Sequence, residues 1–263
     1  MKAIILAAGE GKRLRPLTNR LPKCMVDLFG KSIIEHQIDV YRDCGIKDIT
    51  IVTGYKSDKI NFKNVKYYKN NNYHTTNMVE TLFCAKNALN NPTIISYGDI
   101  IFEKSVLKKL IKSRYDCSII IDKNWKDYWK IRFENPLSDA ESLEVNSDEY
   151  IIDIGQKVTD IEMISGQFIG LMKFQRNGIK KLKNFYKEAK AKSKHQNLLN
   201  PHLKFEQSYM TDLLRGMINN DIKLKAVIVK SGWLELDSLK DYKIYQQMYK
   251  DKTISHFIKL PYE

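Results

Sequence analysis

The chain has 263 residues, 43% of them hydrophobic, enough to bury a substantial core and expected to form one domain over residues 1–263. Its four cysteines, Cys24, Cys44, Cys84 and Cys117, lie far apart with no C-x-x-C pair, which argues against a disulfide framework or zinc site and for a reducing cytoplasm. The net charge of +13 would suit a polyanion, yet the lysines are scattered and zinc-finger spacing, RNP-like aromatics and a helix-turn-helix are all missing, so no nucleic-acid partner is expected.

Apolar runs of strand length alternate with helical periodicity. Residues 3–6 read as the first strand and open into a loop rich in glycine and cations. An amphipathic helix over 32–44 follows, with Ile33, Ile34, Gln37, Ile38 and Tyr41 at helical spacing. Residues 48–53 and 65–68 read as strands, 78–89 as a helix ending before Pro92, 93–97 as a strand, 104–113 as a helix and 117–121 as a strand. Between 122 and 174 the pattern shortens and Trp125, Tyr128, Trp129 and Phe133 crowd together; an antiparallel β excursion walling a pocket is expected there. Residues 190–204 are polar, contain Pro201 and are expected to be a mobile loop or partner contact. A helix near 209–218, a strand over 224–229, the segment 233–237 and a closing helix from Ser238 complete the chain. The predicted fold class is α/β: a Rossmann-like, mostly parallel but mixed sheet flanked by helices, with its ligand at the carboxyl ends of the strands. No apolar run approaches the length of a bilayer span, and the stretch before Gly9 is too short for a signal peptide's apolar region, so a cytoplasmic protein without a membrane partner is expected.

Residues 6–23 carry the most information. Gly9 and Gly11 let backbone N–H groups approach an anion closely, and Lys12, Arg13, Arg15 and Lys23 can neutralise it. The spacing is not that of a P-loop, and Leu14 stands where the dinucleotide fingerprint needs its third glycine. Pro16 and Pro22 interrupt any regular helix, which leaves an extended loop wrapped around a polyphosphate. Asp99 and Asp237 each follow an apolar strand-like run, where a carboxylate can meet a metal or cap the next helix. Glu235, two residues before Asp237, can share its face.

The run from Leu6 to Lys23, LAAGEGKRLRPLTNRLPK, resembles the signature L-A-A-G-x-G-x-R-L-x-P-x-T-x-x-x-P-K of nucleotidyltransferases that make NDP-sugars and CDP-alcohols. Met25-Val26-Asp27-Leu28-Phe29-Gly30-Lys31 resembles their next segment, and the likeness continues through Tyr97-Gly98-Asp99, Gly166-Gln167-Phe168 and Trp233-Leu234-Glu235-Leu236-Asp237. Asn77-Met78-Val79-Glu80-Thr81-Leu82, and Trp129 to Phe133 with Asp139-Ala140-Glu141, are similar to the phosphocholine and phosphonate cytidylyltransferase branch. Within it they resemble the enzymes that use L-glutamine phosphate for capsular phosphoramidate. The resemblance implies a nucleotide-diphospho-sugar transferase fold, Mg2+ as cofactor, CTP as donor and a small phosphorylated amine as acceptor. L-glutamine phosphate ranks first, and phosphocholine or an aminoalkylphosphonate next. A sugar-1-phosphate enzyme using UTP, dTTP or GTP stays open, as do a catalytically silent regulatory subunit and a homodimer.

The chemistry agrees with the cations. A phosphate monoester, with a second pKa of about 6, can attack without a general base, so catalysis is positioning and charge neutralisation. The resemblance assigns Lys12 and Arg13 to the triphosphate and Lys23, expected to be exposed, to the reacting phosphates. It assigns Leu6, Ala8, Gly9, Glu10, Gly11, Asn77, Thr81 and Asp99 to the nucleotide, and Asp99 and Asp237, with Glu235 as a third member, to Mg2+. A helix cap is the competing role for Asn77. The acceptor is expected to meet Trp125, Trp129, Arg132, Lys157 and Gln167. Aromatics near Asp122 and Asp127 would enclose its ammonium, Arg132 would fork onto its phosphate, and Lys123, Lys126, Lys130 and Lys157 would meet a carboxylate. Core packing competes for each tryptophan.

Overall fold

Residues 1–90 and 92–260 are described by a computed structural model. The first strand, β1 (Lys2–Ala7), is apolar on both faces because it lies at the centre of the molecule: Ala3, Ile5 and Ala7 enter one core and Ile4 and Leu6 the other. The loop after it contains two short 3-10 turns, Lys12–Leu14 and Lys23–Met25, and no α-helix. A small hairpin, β2 (Asp27–Leu28) and β3 (Lys31–Ser32), leads into α1 (Ile33–Asp43). Ser32 and Glu35 form a capping box at its start. Then come β4 (Asp48–Thr53), β5 (Val65–Lys69), α2 (Met78–Cys84), β6 (Thr93–Tyr97), β7 (Ile100–Phe102), α3 (Lys104–Lys112) and β8 (Cys117–Asp122). The second half comprises α4 (Trp125–Arg132), β9 (Glu141–Val145), β10 (Tyr150–Lys157), β11 (Gln167–Phe174), α5 (Asn177–Lys192), α6 (Met210–Ile218), β12 (Leu224–Val229), β13 (Trp233–Glu235) and α7 (Leu239–Lys250).

Nine strands form one mixed sheet in the order β5-β4-β1-β6-β11-β8-β12-β10-β9. The β5-β4-β1-β6 half is parallel throughout, β12 is parallel to β8, and β11 runs antiparallel between β6 and β8. Helices α1, α3, α4 and α7 cover one face, and α2, α5 and α6 the other. The predicted α/β class, a mostly parallel but mixed sheet flanked by helices, describes this architecture, whose core is mostly parallel. The carboxyl ends of β1 and β6 lie side by side, since Leu6 is in register with Tyr97. That register brings the glycine loop and Asp99 to one edge.

Three local expectations differ from the structure. The segment directly after Asp122 is a helix, α4, where β structure was expected; β9, β10 and β11 pair antiparallel, as expected, within the main sheet. Trp125, Tyr128, Trp129 and Arg132 are buried because their i, i+3, i+4 and i+7 spacing puts them on one helical face. Helix α2 stops at Cys84, short of Leu89; tight turns (Ala85 N–H to Leu82 O, Ala88 N–H to Ala85 O) replace it and still bury Ala85, Ala88 and Leu89. The polar stretch 190–204 begins as the last turn of α5 and then packs down. Buried Asn197 donates to Leu203 O and Ser208 Oγ, and Leu199 enters the core.

Candidate active site

The glycine loop is shaped by close packing. Gly11 has φ +65°, and a Cβ there would lie 2.9 Å from Cβ of Lys23, so only glycine lets the two ends of the loop meet. Thr18 fastens the turn by donating to Gly11 O at 2.7 Å. Gly98 is equally constrained, since a Cβ would stand 2.6 Å from Leu6 O where β1 and β6 converge.

The carboxylates lie at strand ends. Asp99 lies in the turn between β6 and β7, and β13 pairs antiparallel with β7, so that Leu236 N–H donates to Asp99 O at 2.9 Å. This pairing brings Glu235 and Asp237 beside Asp99, and one carboxylate oxygen from each of the three lies within 4.8 Å of the others. Neither aspartate caps a helix: α3 starts after Glu103 and α7 is capped by Ser238 in a box with Asp241. The Asp99 turn is held from below by Gln37 of α1. Its amide donates to Tyr97 O at 2.8 Å and Ile100 O at 2.7 Å and accepts from Ser96 Oγ.

Lys23 closes the cluster. Its Nζ is 2.6 Å from Asp99 Oδ2 and 2.5 Å from Asp237 Oδ1, and its side chain is only 14% exposed. The expected exposed lysine is therefore a half-buried, ion-paired one. Burial alone would lower its pKa, but Asp99 and then Asp237 outweigh that and raise it. Burial would raise Asp237, but Lys23, with Arg13 and Arg132, holds it below the usual carboxylate range. Burial and then Asp237 push Glu235 above that range. Asp99 Oδ1 is buried without a hydrogen-bond partner, an acceptor left open.

Two pockets flank this centre. The first is lined by Leu6, Ala8, Gly9, Lys23, Asn77, Thr81 and Asp99, together with Tyr73 and Tyr97. Asn77 also caps α2, its Oδ1 accepting from Met78 N–H, and the Thr81 hydroxyl donates to Asn77 O. Lys12 and Arg13 line neither pocket and have side chains 71% and 65% exposed, and Arg13 reaches Asp237 at 3.2 Å. Glu10 pairs with Lys12 and Arg15 of its own loop. The second pocket is lined by Tyr97, Trp129, Asp139, Glu141, Gln167, Phe168, Glu235 and Asp237, with Met78 shared between the two. Gln167 lines it while its amide binds the backbone of Glu141.

Other residues expected at the acceptor lie elsewhere. Trp125 is in the core, edge-on to Trp129. Arg132 is buried and engaged by Glu235, Asp237 and Asp241, so its fork is turned to protein carboxylates. Asp122 is fully occupied, accepting from Asn124 N–H, Ser231 N–H and Trp233 Nε1. Asp127 and Lys130 pair on the surface, as do Lys126 and Glu162. Lys157 borders a neighbouring groove beside Arg215. The reason is helical geometry, which turns the face of α4 that holds Trp125 and Arg132 inward and its lysines outward. Sequence reasoning missed Gln37 and Asp241 as parts of the site; a polar Gln37 on the apolar face of the 32–44 helix was the available signal.

A cationic glycine loop and a carboxylate cluster at adjacent strand ends define a nucleotidyltransferase. Residues 3–193 match the model of the MobA-like NTP transferase domain, and the chain belongs to that family. CTP:phosphoglutamine cytidylyltransferase of Campylobacter jejuni is 37% identical over 255 residues, covering 93% of this chain and 98% of that protein. Choline-phosphate cytidylyltransferase of Streptococcus pneumoniae is 37% identical over 119 residues, 44% of this chain and 52% of that one. The solved structure of the CTP:phosphocholine cytidylyltransferase from Streptococcus pneumoniae shares the fold at a TM-score of 0.72 and 23% identity, covering 94% of this chain and 98% of that one. No helix among the described residues is long and apolar enough to cross a membrane.

Proposed function

We propose that the chain is a Mg2+-dependent cytidylyltransferase acting on a small phosphorylated amine, with L-glutamine phosphate ranked first. An oxygen of the acceptor phosphate bonds to the α-phosphorus of CTP, the bond from that phosphorus to the β-phosphate oxygen breaks, and pyrophosphate leaves. The observation that carries this reading is Lys23, whose ammonium bridges Asp99 and Asp237 between the two pockets. Both reactants are anions, so the protein's work is to align them and neutralise charge as it develops. Lys12 and Arg13 meet the triphosphate, and Lys23 turns from its carboxylates to the reacting phosphates. The pocket around Ala8, Gly9, Asn77 and Thr81 takes the cytidine.

Asp99, Glu235 and Asp237 would hold Mg2+. The donor set fits, being three hard carboxylates clustered within 4.8 Å with Asp99 Oδ1 unpartnered. When bound, the ion supplies positive charge at the phosphate oxygens.

The acceptor ranking is supported by the 37% identity that extends along nearly the whole Campylobacter jejuni protein. The second pocket adds Asp139 and Glu141 beside Tyr97, Trp129 and Phe168, a lining that suits an ammonium better than a neutral hexose. The lysines at 123, 126, 130 and 157 do not line it, so they no longer support a carboxylate partner. That acceptor implies a role in the modification of capsule or other cell-surface polysaccharide. The test is pyrophosphate release from each of four NTPs with L-glutamine phosphate, phosphocholine, 2-aminoethylphosphonate and hexose 1-phosphates. CTP with L-glutamine phosphate should exceed CTP with phosphocholine by about tenfold, one contact's worth of about 1.4 kcal/mol. A preference for a hexose 1-phosphate would select the sugar-nucleotide alternative, and silence with every pair the regulatory one.

A further inference from the structure

Arg132 does not line the second pocket, where its sequence position suggested an acceptor role, and its surroundings indicate another. Its side chain has no solvent exposure, and three of its nitrogens address three different carboxylates. Nη1 donates to Glu235 Oε2 at 2.9 Å, Nη2 to Asp237 Oδ2 at 3.2 Å, and Nε to Asp241 Oδ1 at 3.2 Å. The guanidinium is packed among the rings of Tyr128, Trp129 and Phe133, which fix its plane. Asp241 continues the structure on the other side: its Oδ2 accepts from Asp237 N–H at 3.1 Å, Ser238 N–H at 2.8 Å and Ser238 Oγ at 3.0 Å. Tyr128 and Tyr245 hold the Glu235 backbone, the Tyr128 hydroxyl accepting from Glu235 N–H at 2.7 Å and the Tyr245 hydroxyl donating to Glu235 O at 2.8 Å.

We infer that Arg132, braced by Asp241, is a positioning residue that holds Glu235 and Asp237 as a preset pair of cation ligands. The proposal rests on the reading that these carboxylates take a divalent cation. Like-charged carboxylates this close repel one another and would swing apart without a shared counter-charge. Arg132 takes Oδ2 of Asp237 and thereby turns Oδ1 to Lys23 and Arg13 on the cleft side. It holds Oε2 of Glu235 in the same way. A lysine could supply the charge but, as a single ammonium on a flexible stem, could not address three carboxylates in fixed directions.

The test compares Arg132→Lys and Asp241→Asn with wild type and with Leu107→Ala, a core truncation in α3 that perturbs stability away from these groups. Mn2+ binding to each protein in the presence of CTP is read by electron paramagnetic resonance, beside thermal unfolding and the Mg2+ dependence of turnover. Arg132→Lys should weaken Mn2+ binding at least tenfold and raise the Mg2+ needed for half-maximal turnover. Asp241→Asn, which releases one leg of the brace, should weaken Mn2+ binding about threefold, and Leu107→Ala should lower Tm without moving it. Should Arg132→Lys fail to fold, Asp241→Asn decides. Wild-type Mn2+ affinity in the folded variants would overturn the positioning role, leaving Arg132 as a core ion pair only. A wild type that binds no Mn2+ with CTP would overturn the cation reading and this inference with it.

Discussion

Replacing Lys23 by Met probes the centre of the site directly. The ammonium lies 2.6 Å from Asp99 Oδ2 and 2.5 Å from Asp237 Oδ1, with all three side chains 15% exposed or less. With an effective dielectric of about 20, each contact is worth roughly 6 kcal/mol in gross Coulomb energy, most of it offset by desolvation. Removing one member of such a buried set leaves uncompensated charge and costs about 3–5 kcal/mol. Proton uptake by the crowded carboxylates relieves part of this, so a loss of about 3 kcal/mol at pH 7 is expected in urea unfolding. Turnover, followed by pyrophosphate release under conditions where the variant is folded, should fall by a factor of about 100–1,000, the range for removing one preorganised charge-stabilising donor. Mn2+ should stabilise Lys23→Met more than wild type in the absence of nucleotide, because no ammonium then competes for Asp99 and Asp237. Unchanged stability together with an equal response to Mn2+ in both proteins would refute the reasoning. Turnover within threefold of wild type would separately remove Lys23 from the reaction.

Three further outcomes are expected. Gln37→Leu leaves the carbonyls of Tyr97 and Ile100 without their donor, so it should cost about 2–4 kcal/mol. By loosening the Asp99 turn it should also lower kcat at least about tenfold at low temperature, roughly 1.4 kcal/mol in the barrier, whereas a purely structural Gln37 would leave kcat intact. Asp122→Ala strips three donors, including Trp233 Nε1, of a buried acceptor and should destabilise the protein by about 3 kcal/mol in urea while the nucleotide KM stays constant. His36 is buried, with Nε2–H donating to Leu28 O, and burial holds its pKa below the ordinary 6.5. The unfolded chain therefore binds the proton first, so stability should fall as pH drops below about 6.5 toward the folded value, and His36→Gln should flatten that slope in unfolding curves between about pH 7 and 5.

Local chemistry made much of this protein legible in its sequence. The apolar runs at 48–53, 93–97 and 224–229 match β4, β6 and β12 to the residue, because buried strands are apolar on both faces and are bounded by polar turns. The glycine loop was legible because Gly11 and Lys23 meet in a way that no other residue at 11 would allow. What the tertiary structure alone decided is the direction each side chain faces. Trp125, Trp129 and Arg132 look alike as a pocket wall and as a helical core face, and only the packing of α4 against β13 and α7 puts Trp125 in the core, Trp129 at the pocket and Arg132 on Glu235, Asp237 and Asp241. Lys23 and Asp237 are separated by 214 positions, and the ion pair between them exists because β13 pairs with β7 at the end of β6. Periodicity and composition report on neighbours along the chain; a contact that depends on strand order, such as this one, is fixed only when the sheet forms.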